Sequence, residues 1–288
     1  MTAAHAPGSL QTIHVGGRER SYLLYLPPQA ESGKPLPVVL VFHGSGTHAA
    51  SMAEFCGLHE KAAEAGFVVV YPNGTGRVDH ARTWNAGHCC GHAFHQQVND
   101  VEFVSALLDE LLLTLSLDPA RVYAAGMSNG GMMAYRLAAE MSERFAAIAS
   151  ITGPMGSATC APAQPVPVLH FHGTNDQFAP FTGGVGPRSI GRVAFYSVEH
   201  TIAQWVQANG CPETPEIVPI ADLAGDGFPI TRRRYGPGTN NAEVVLYLIE
   251  GGGHTWPGRT PPLEFLGPVT HSIQANDLLW DFFCRCKR

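Results

Sequence analysis

The stretch "RVYAAGMSNGGMMAYRLAAE", residues 121–140, decides the reading of the chain. It opens as an apolar strand, passes through a small-residue turn and continues as an amphipathic helix. The turn, "GMSNGG" (126–131), fits G-x-S-x-G through Gly126, Ser128 and Gly130. In a strand–turn–helix context this pattern holds a serine in a strained backbone conformation with its hydroxyl projecting outwards. Glycines two before and two after leave room for the turn and for close helix–strand packing. The helix N-terminus that follows aims backbone N–H groups at any anion formed there.

Outward from this turn, short apolar runs alternate with helical patterns. The runs "SYLLYLP" (21–27), "PVVLVFHG" (37–44), "GFVVVYPNG" (66–74), "AAIASITG" (146–153), "PVLHFHGT" (167–174) and "EVVLYLIEGG" (243–252) read as strands, as does 121–128. The middle ones are apolar almost throughout, as strands buried on both faces must be. Helices are expected over 51–66, 99–115, 130–145 and 196–209, with a last one in "SIQANDLLWDFFCR" (272–285). Such alternation predicts an α/β fold with a mostly parallel central sheet flanked by helices. Functional groups in such sheets gather at the C-terminal ends of strands. No repeat, low-complexity tract or linker interrupts the pattern, so residues 1–288 are expected to form one catalytic domain, with 1–8 disordered.

The bulk properties narrow the function classes. The 288 residues are 45% hydrophobic and 15% charged, enough for a large core, and the formal charge of -6 argues against a nucleic-acid binder. The one basic run, Arg232–Arg234, lies in an apparent strand and reads as a solvated edge. No run of about 18 apolar residues exists, so no membrane span is expected. The start, "MTAAHAPGSLQ", lacks the basic-then-apolar pattern of a signal peptide. Seven cysteines are many for a reduced cytosolic enzyme, which favours an oxidising compartment, secreted or periplasmic. Neighbouring Cys89 and Cys90 are expected to find partners elsewhere, because pairing with each other demands strain.

A serine alcohol needs a base, and the base an orienting acid. Two late strand ends supply both. "HFHGTND" (170–176) leads into Asp176, and "LIEGGGHTWPG" (248–258) into His254. The order Ser128, Asp176, His254 is that of the α/β-hydrolase fold. Asn175 cannot serve as the acid, because an amide does not stabilise an imidazolium. Asp226 is the alternative acid, although "AGDGFP" reads as a surface turn. An oxyanion hole needs two backbone donors. Asn129 N–H, directly after the nucleophile, is one; Ser45 N–H, in "FHGSG" (42–46), is the choice for the second, with Gly44 and Gly46 as alternatives. His43 reads as a loop brace.

With these pieces assembled, the chain resembles the polyhydroxybutyrate-depolymerase-like esterases, kin of feruloyl and acetylxylan esterases. The resemblance is carried by "VVLVFHGSG", "FVVVYPNG", "TWNAGHCCG", "DPARVYAAGMSNGGMMAYRLA", "PVPVLHFHGTND", "NGC" (209–211) and "IEGGGHTWPG", spanning residues 37–258. It implies an α/β-hydrolase fold and a serine esterase without metal or organic cofactor. It carries over Ser128, Asp176 and His254 as the triad and Ser45 as the second oxyanion donor. It implies an ester substrate: a polyester or its oligomers, or an esterified plant polysaccharide.

The His/Cys-rich "GHCCGHAFH" (87–95) suggests metal binding at first sight. Two adjacent cysteines diverge, and four convergent ligands are wanted for a structural zinc. The resemblance instead implies cysteine pairing in a substrate-side loop, and a bridge from Cys89 or Cys90 to Cys56 or Cys160 is expected. Trp84 and Trp256 are the candidate substrate-binding residues, packing being their alternative role. Met127 is expected beneath the turn, away from substrate. Only a short segment separates the strand at 146–153 from that at 167–174, which leaves no room for a helical lid; "FTGGVGPRSIGRVAF" (181–195) is a candidate substrate loop. A zinc hydrolase, a non-catalytic carbohydrate binder, a peptidase and a thioesterase are the competing readings.

Overall fold

The computed structural model describes residues 8–288, without the side chain of Ile190. The expected disorder of residues 1–8 therefore lies, apart from Gly8, outside the described residues. Twelve strands and seven α-helices follow the chain among them. The strands are β1 (Ser9–Val15), β2 (Arg18–Tyr25), β3 (Leu36–Phe42), β4 (Val68–Pro72), β5 (Thr75–Val78), β6 (Ala81–Thr83), β7 (Leu117–Met127), β8 (Ala147–Ile151), β9 (Val168–Gly173), β10 (Glu216–Ile220), β11 (Ile230–Tyr235) and β12 (Val244–Ile249). The helices are α1 (Ala49–Cys56), α2 (Leu58–Ala65), α3 (Gly91–His95), α4 (Asp100–Thr114), α5 (Asn129–Glu140), α6 (Val198–Ala208) and α7 (Ala275–Phe283).

Ten strands form one sheet in the order β1-β2-β4-β3-β7-β8-β9-β12-β11-β10. The six from β4 to β12 run parallel, and antiparallel pairs extend the sheet at both margins. Alternation along the central strands assigns side chains to two cores. Val38, Leu40 and Phe42 of β3 face a core with α4, α5 and α6, whereas Val39 and Val41 face one with α1, α2 and α7. Strand β12 divides likewise, Val244, Leu246 and Leu248 against Val245, Tyr247 and Ile249. Burial on both faces is why these strands are near-continuous apolar runs. Because the six strands are parallel, the ends of β3, β7, β9 and β12 all open on one margin of the sheet.

Three expectations are corrected. The helix expected over 51–66 is two helices, because Gly57 adopts φ 57° and caps the first; the Arg259 guanidinium packs over it and donates to the Gly57 carbonyl at 3.2 Å. Arg232–Arg234 are not on an edge: β11 lies inside β10, and Arg232 and Arg234 face Glu216 while Arg233 pairs with Glu199. The sulfurs of Cys89 and Cys90 lie against each other, and Cys56 and Cys160, the partners expected for them, are free thiols. The Cys56 sulfur lies buried by the Tyr71 hydroxyl, and that of Cys160 turns to the Gln204 carbonyl.

One buried ion pair ties β2 to α4. Arg20 donates to Asp100 at 2.8 Å and to the Asn73 carbonyl at 3.0 Å, with its guanidinium 3.9 Å from the Phe103 ring centre. The other Asp100 oxygen accepts the Asn85 N–H at 2.8 Å. Removing one member strands the other charge in the core, which costs about 3–5 kcal/mol. Arg20→Ala is therefore expected to lower the urea midpoint steeply, whereas Arg233→Ala, which breaks an exposed pair, costs less than about 1 kcal/mol; equilibrium urea unfolding checks both.

Candidate active site

The β7–α5 connection takes one residue. Ser128 caps α5 with φ 55° and ψ -123°, a region an L residue enters at a cost of about 1–3 kcal/mol. Its N–H is held by the Ile151 carbonyl at 2.8 Å, and its own carbonyl accepts the Met132 N–H at 2.9 Å. The flanking glycines are required by space: a Cβ on Gly126 would meet the Gly130 backbone, and one on Gly130 the Phe42 carbonyl.

After β9 the chain turns into Asp176. One carboxylate oxygen accepts the N–H groups of Phe178 at 2.8 Å and Ala179 at 2.9 Å. The other accepts from His254 Nδ1 at 2.7 Å. Both side chains are buried, and the second ring nitrogen, Nε2, is left for other work. Burial alone would raise the Asp176 carboxyl; the His254 charge and hydrogen bond, helped by His172 and the Ala179 N–H, outweigh it and hold it below its ordinary 3.8. His254 follows the glycine-rich end of β12, its N–H held by the Leu266 carbonyl at 2.7 Å.

Ser128, His254, Asn129 and Ser45 line one cavity of about 300 Å³. Of the alternatives to Ser45, Gly46 is occupied, since its N–H donates to the Arg82 carbonyl at 2.9 Å. His43 is fully buried, with Nδ1 against the Gly44 carbonyl at 2.8 Å and Nε2 accepting the Gly74 N–H at 3.0 Å; burial pushes it down to about 3, so it stays neutral and braces the loop. Asp226 accepts from Thr270 and from the His271 N–H, bracing a turn. Among the described residues no group of three or more His, Cys, Asp or Glu side chains converges as metal ligands. His88 sets its two ring nitrogens against the carbonyls of Gly156 at 2.8 Å and Ala194 at 3.0 Å.

The two tryptophans are corrected. Both are fully buried and neither lines the cavity. Trp84 Nε1 donates to the His43 carbonyl at 3.0 Å, while its main chain exchanges bonds with the Asn129 amide at 2.7 and 3.1 Å. It thus clamps the loop after β3 to the turn at Ser128. Trp256 donates to Asn276, which in turn donates to the Cys56 carbonyl, anchoring the His254 loop on α7 and α1. The cavity wall is built instead from Phe55, Phe178, Phe195, Phe265, Met52 and Met132. Met127 also reaches it, despite being only 6% exposed, because the tight turn leaves its side chain beside the serine. Phe178 stands 5.0 Å from the His254 ring and 6.0 Å from Phe265. Segment 181–195 contributes Ser189 and Phe195, and residues 152–167 contain no helix. Apart from His254, no acidic or basic side chain lies among the lining residues.

A model of the family described as Esterase PHB depolymerase matches residues 20–194. The chain belongs to that family. The match takes in Ser128 and Asp176, and His254 lies beyond it. Family membership makes the chain a carboxylic ester hydrolase. It is 33% identical to a putative esterase, NocK, of Nocardia uniformis subsp. tsuyamanensis, over 97% of this chain and 83% of the relative. It is 29% identical to a probable feruloyl esterase C of Aspergillus clavatus, over 94% and 85%. Among solved structures, an acetyl xylan esterase from Aspergillus awamori superposes with a TM-score of 0.63 at 16% identity, over 96% of this chain and 99% of that one, which shows the shared α/β-hydrolase fold.

A depressed carboxyl gives the linkage its sign: the stability Asp176 contributes is present above its unfolded value near 3.8 and is lost as pH falls through the lower folded value. The expected outcome is that Asp176→Asn flattens this part of the acid limb of unfolding free energy against pH, measured by urea titration at each pH. An unchanged limb would remove Asp176 from the linkage.

Proposed function

We propose that the protein is a serine esterase working through an acyl-enzyme, with Ser128 as nucleophile, His254 as base and Asp176 as the orienting acid. His254 takes the hydroxyl proton as Ser128 attacks the ester carbonyl. The N–H groups of Ser45 and Asn129 stabilise the tetrahedral oxyanion, each worth about 3–4 kcal/mol in comparable sites. The imidazolium then hands its proton to the departing alcohol. Water, deprotonated by the same base, releases the acid and restores Ser128. The observation that carries this reading is the 2.7 Å bond from His254 to Asp176 at the edge of a cavity that also holds a serine at φ 55°.

The cavity chemistry supports neutral substrates with apolar acyl groups. Phenylalanine and methionine line it, and Leu263 and Phe265 stand about half exposed at its rim. An uncharged, open, apolar cleft suits a polyester chain of the polyhydroxyalkanoate type, or its oligomers, as the first reading. The second, an aromatic acyl ester such as a feruloylated polysaccharide, is favoured by the ring surfaces of Phe178, Phe195 and Phe265 and by the feruloyl esterase among the relatives. Work outside the reducing cytosol, secreted or periplasmic, fits the seven cysteines of the chain.

Ser128→Ala is expected to lower kcat/KM by at least about 10⁴-fold while leaving the melting temperature in place; retained turnover would remove the serine mechanism. Wild-type kcat/KM for a short 3-hydroxybutyrate oligomer against methyl ferulate separates the substrate readings. The polyester reading expects the oligomer to win, and preference for ferulate replaces it with the aromatic one.

A further inference from the structure

Next to Asp176, and not among the residues that line the cavity, three buried side chains form a hydrogen-bonded row. The Tyr135 hydroxyl lies 2.8 Å from His170 Nδ1, His170 Nε2 lies 3.1 Å from His172 Nδ1, and His172 Nε2 lies 2.8 Å from the Ala179 carbonyl and 3.5 Å from Asp176 Oδ2, the oxygen that accepts from His254. All three side chains are buried, the two imidazoles completely, and the imidazoles stack at 5.3 Å. Burial pushes both imidazoles below their ordinary value, more so for His170, and His172 stays depressed despite the nearby carboxylate.

The chemistry of the partners orients every proton in the row. A carbonyl only accepts, so His172 Nε2 must carry its hydrogen. A neutral imidazole then has a bare Nδ1, which obliges His170 Nε2 to donate. His170 Nδ1 is bare in turn, and the Tyr135 O–H donates to it. The row has one polarity, with its positive end at the acid loop. There His172 holds the Ala179 carbonyl, while the Ala179 N–H holds Asp176 Oδ1 at 2.9 Å.

We propose that His172 is a positioning residue for the acid Asp176, and that Tyr135 and His170 set the tautomer in which His172 does this. It rests on the serine-esterase reading above. His172 Nε2–H fixes the loop from Asp176 to Ala179 and places a donor beside the carboxylate oxygen that orients His254. Reversing the row would turn a lone pair towards the Ala179 carbonyl and Asp176. The titratable groups facing His172 are His170 on its own strand and Asp176 and His254 from the following loops; Tyr135, from α5, acts through His170.

The test uses steady-state kinetics against pH together with nitrogen-15 NMR of the imidazoles in the intact protein. His172→Leu is expected to lower kcat about 10-fold with KM within about twofold, since a small displacement of an orienting group acts on the chemical step. Loss of the donor also lets the Asp176–His254 pair hold a proton more readily, so the acid limb of kcat/KM moves to higher pH. His172→Gln, which keeps an N–H donor, recovers much of the rate. Tyr135→Phe lowers kcat severalfold in the same direction. In the wild type, His172 is expected to be neutral with its proton on Nε2. A proton on Nδ1, or wild-type kcat and pH profile in His172→Leu or, where that variant does not fold, in Tyr135→Phe, would overturn the proposal. Turnover surviving in Ser128→Ala would instead sink the serine reading, so the two failures are distinguishable.

Discussion

The constraint on which the rest depends is the one-residue passage from β7 to α5. Ser128 sits at φ 55°, where a side chain raises the backbone energy. The surroundings over-determine it. The Ile151 carbonyl grips its N–H, and Gly126 and Gly130 let β7, α5 and the end of β3 approach to backbone contact. The result is a hydroxyl at the mouth of a sheet, with the first turn of a helix directly behind it.

The neighbouring loops are fixed to that turn and to each other by buried polar groups. Trp84 joins the loop after β3 to Asn129, and Trp256 joins the His254 loop to α7. Asp176 is held from both sides, by main-chain N–H groups on one oxygen and by His254 on the other. Four strand ends from one parallel sheet thereby meet with little freedom. The substrate-facing wall is made of apolar side chains that take no part in these bonds.

The parallel core and the placing of Ser128, Asp176 and His254 at strand ends were legible because each rests on a local pattern with one physical meaning: apolar runs for doubly buried strands, a glycine-flanked serine for the tight turn, and loop-borne Asp and His after late strands. What escaped notice depends on tertiary context. Strands β1 and β10 are exposed margins: β1 mixes polar and apolar residues, and the short apolar run of β10 is interrupted by Pro219. The break at Gly57 was visible as a glycine, but periodicity on either side masked it. Trp84 and Trp256 lie beside functional residues in sequence, yet the chain turns each inwards, where an indole N–H finds a buried acceptor. Phe178, two residues after Asp176, and Phe265, in an irregular loop, had no pattern to mark them. The His170–His172 row is spelled out in "HFHG", since alternate residues of a strand share a face, but its link to Tyr135 needs the fold.

The central claim is that Ser128 is an activated nucleophile, and a serine-directed fluorophosphonate tests it most directly. Intact mass followed by peptide mapping is expected to show one covalent adduct, on Ser128, formed rapidly at neutral pH and strongly slowed in His254→Ala. Absence of an adduct, or modification at another residue with Ser128 unlabelled, would contradict the account.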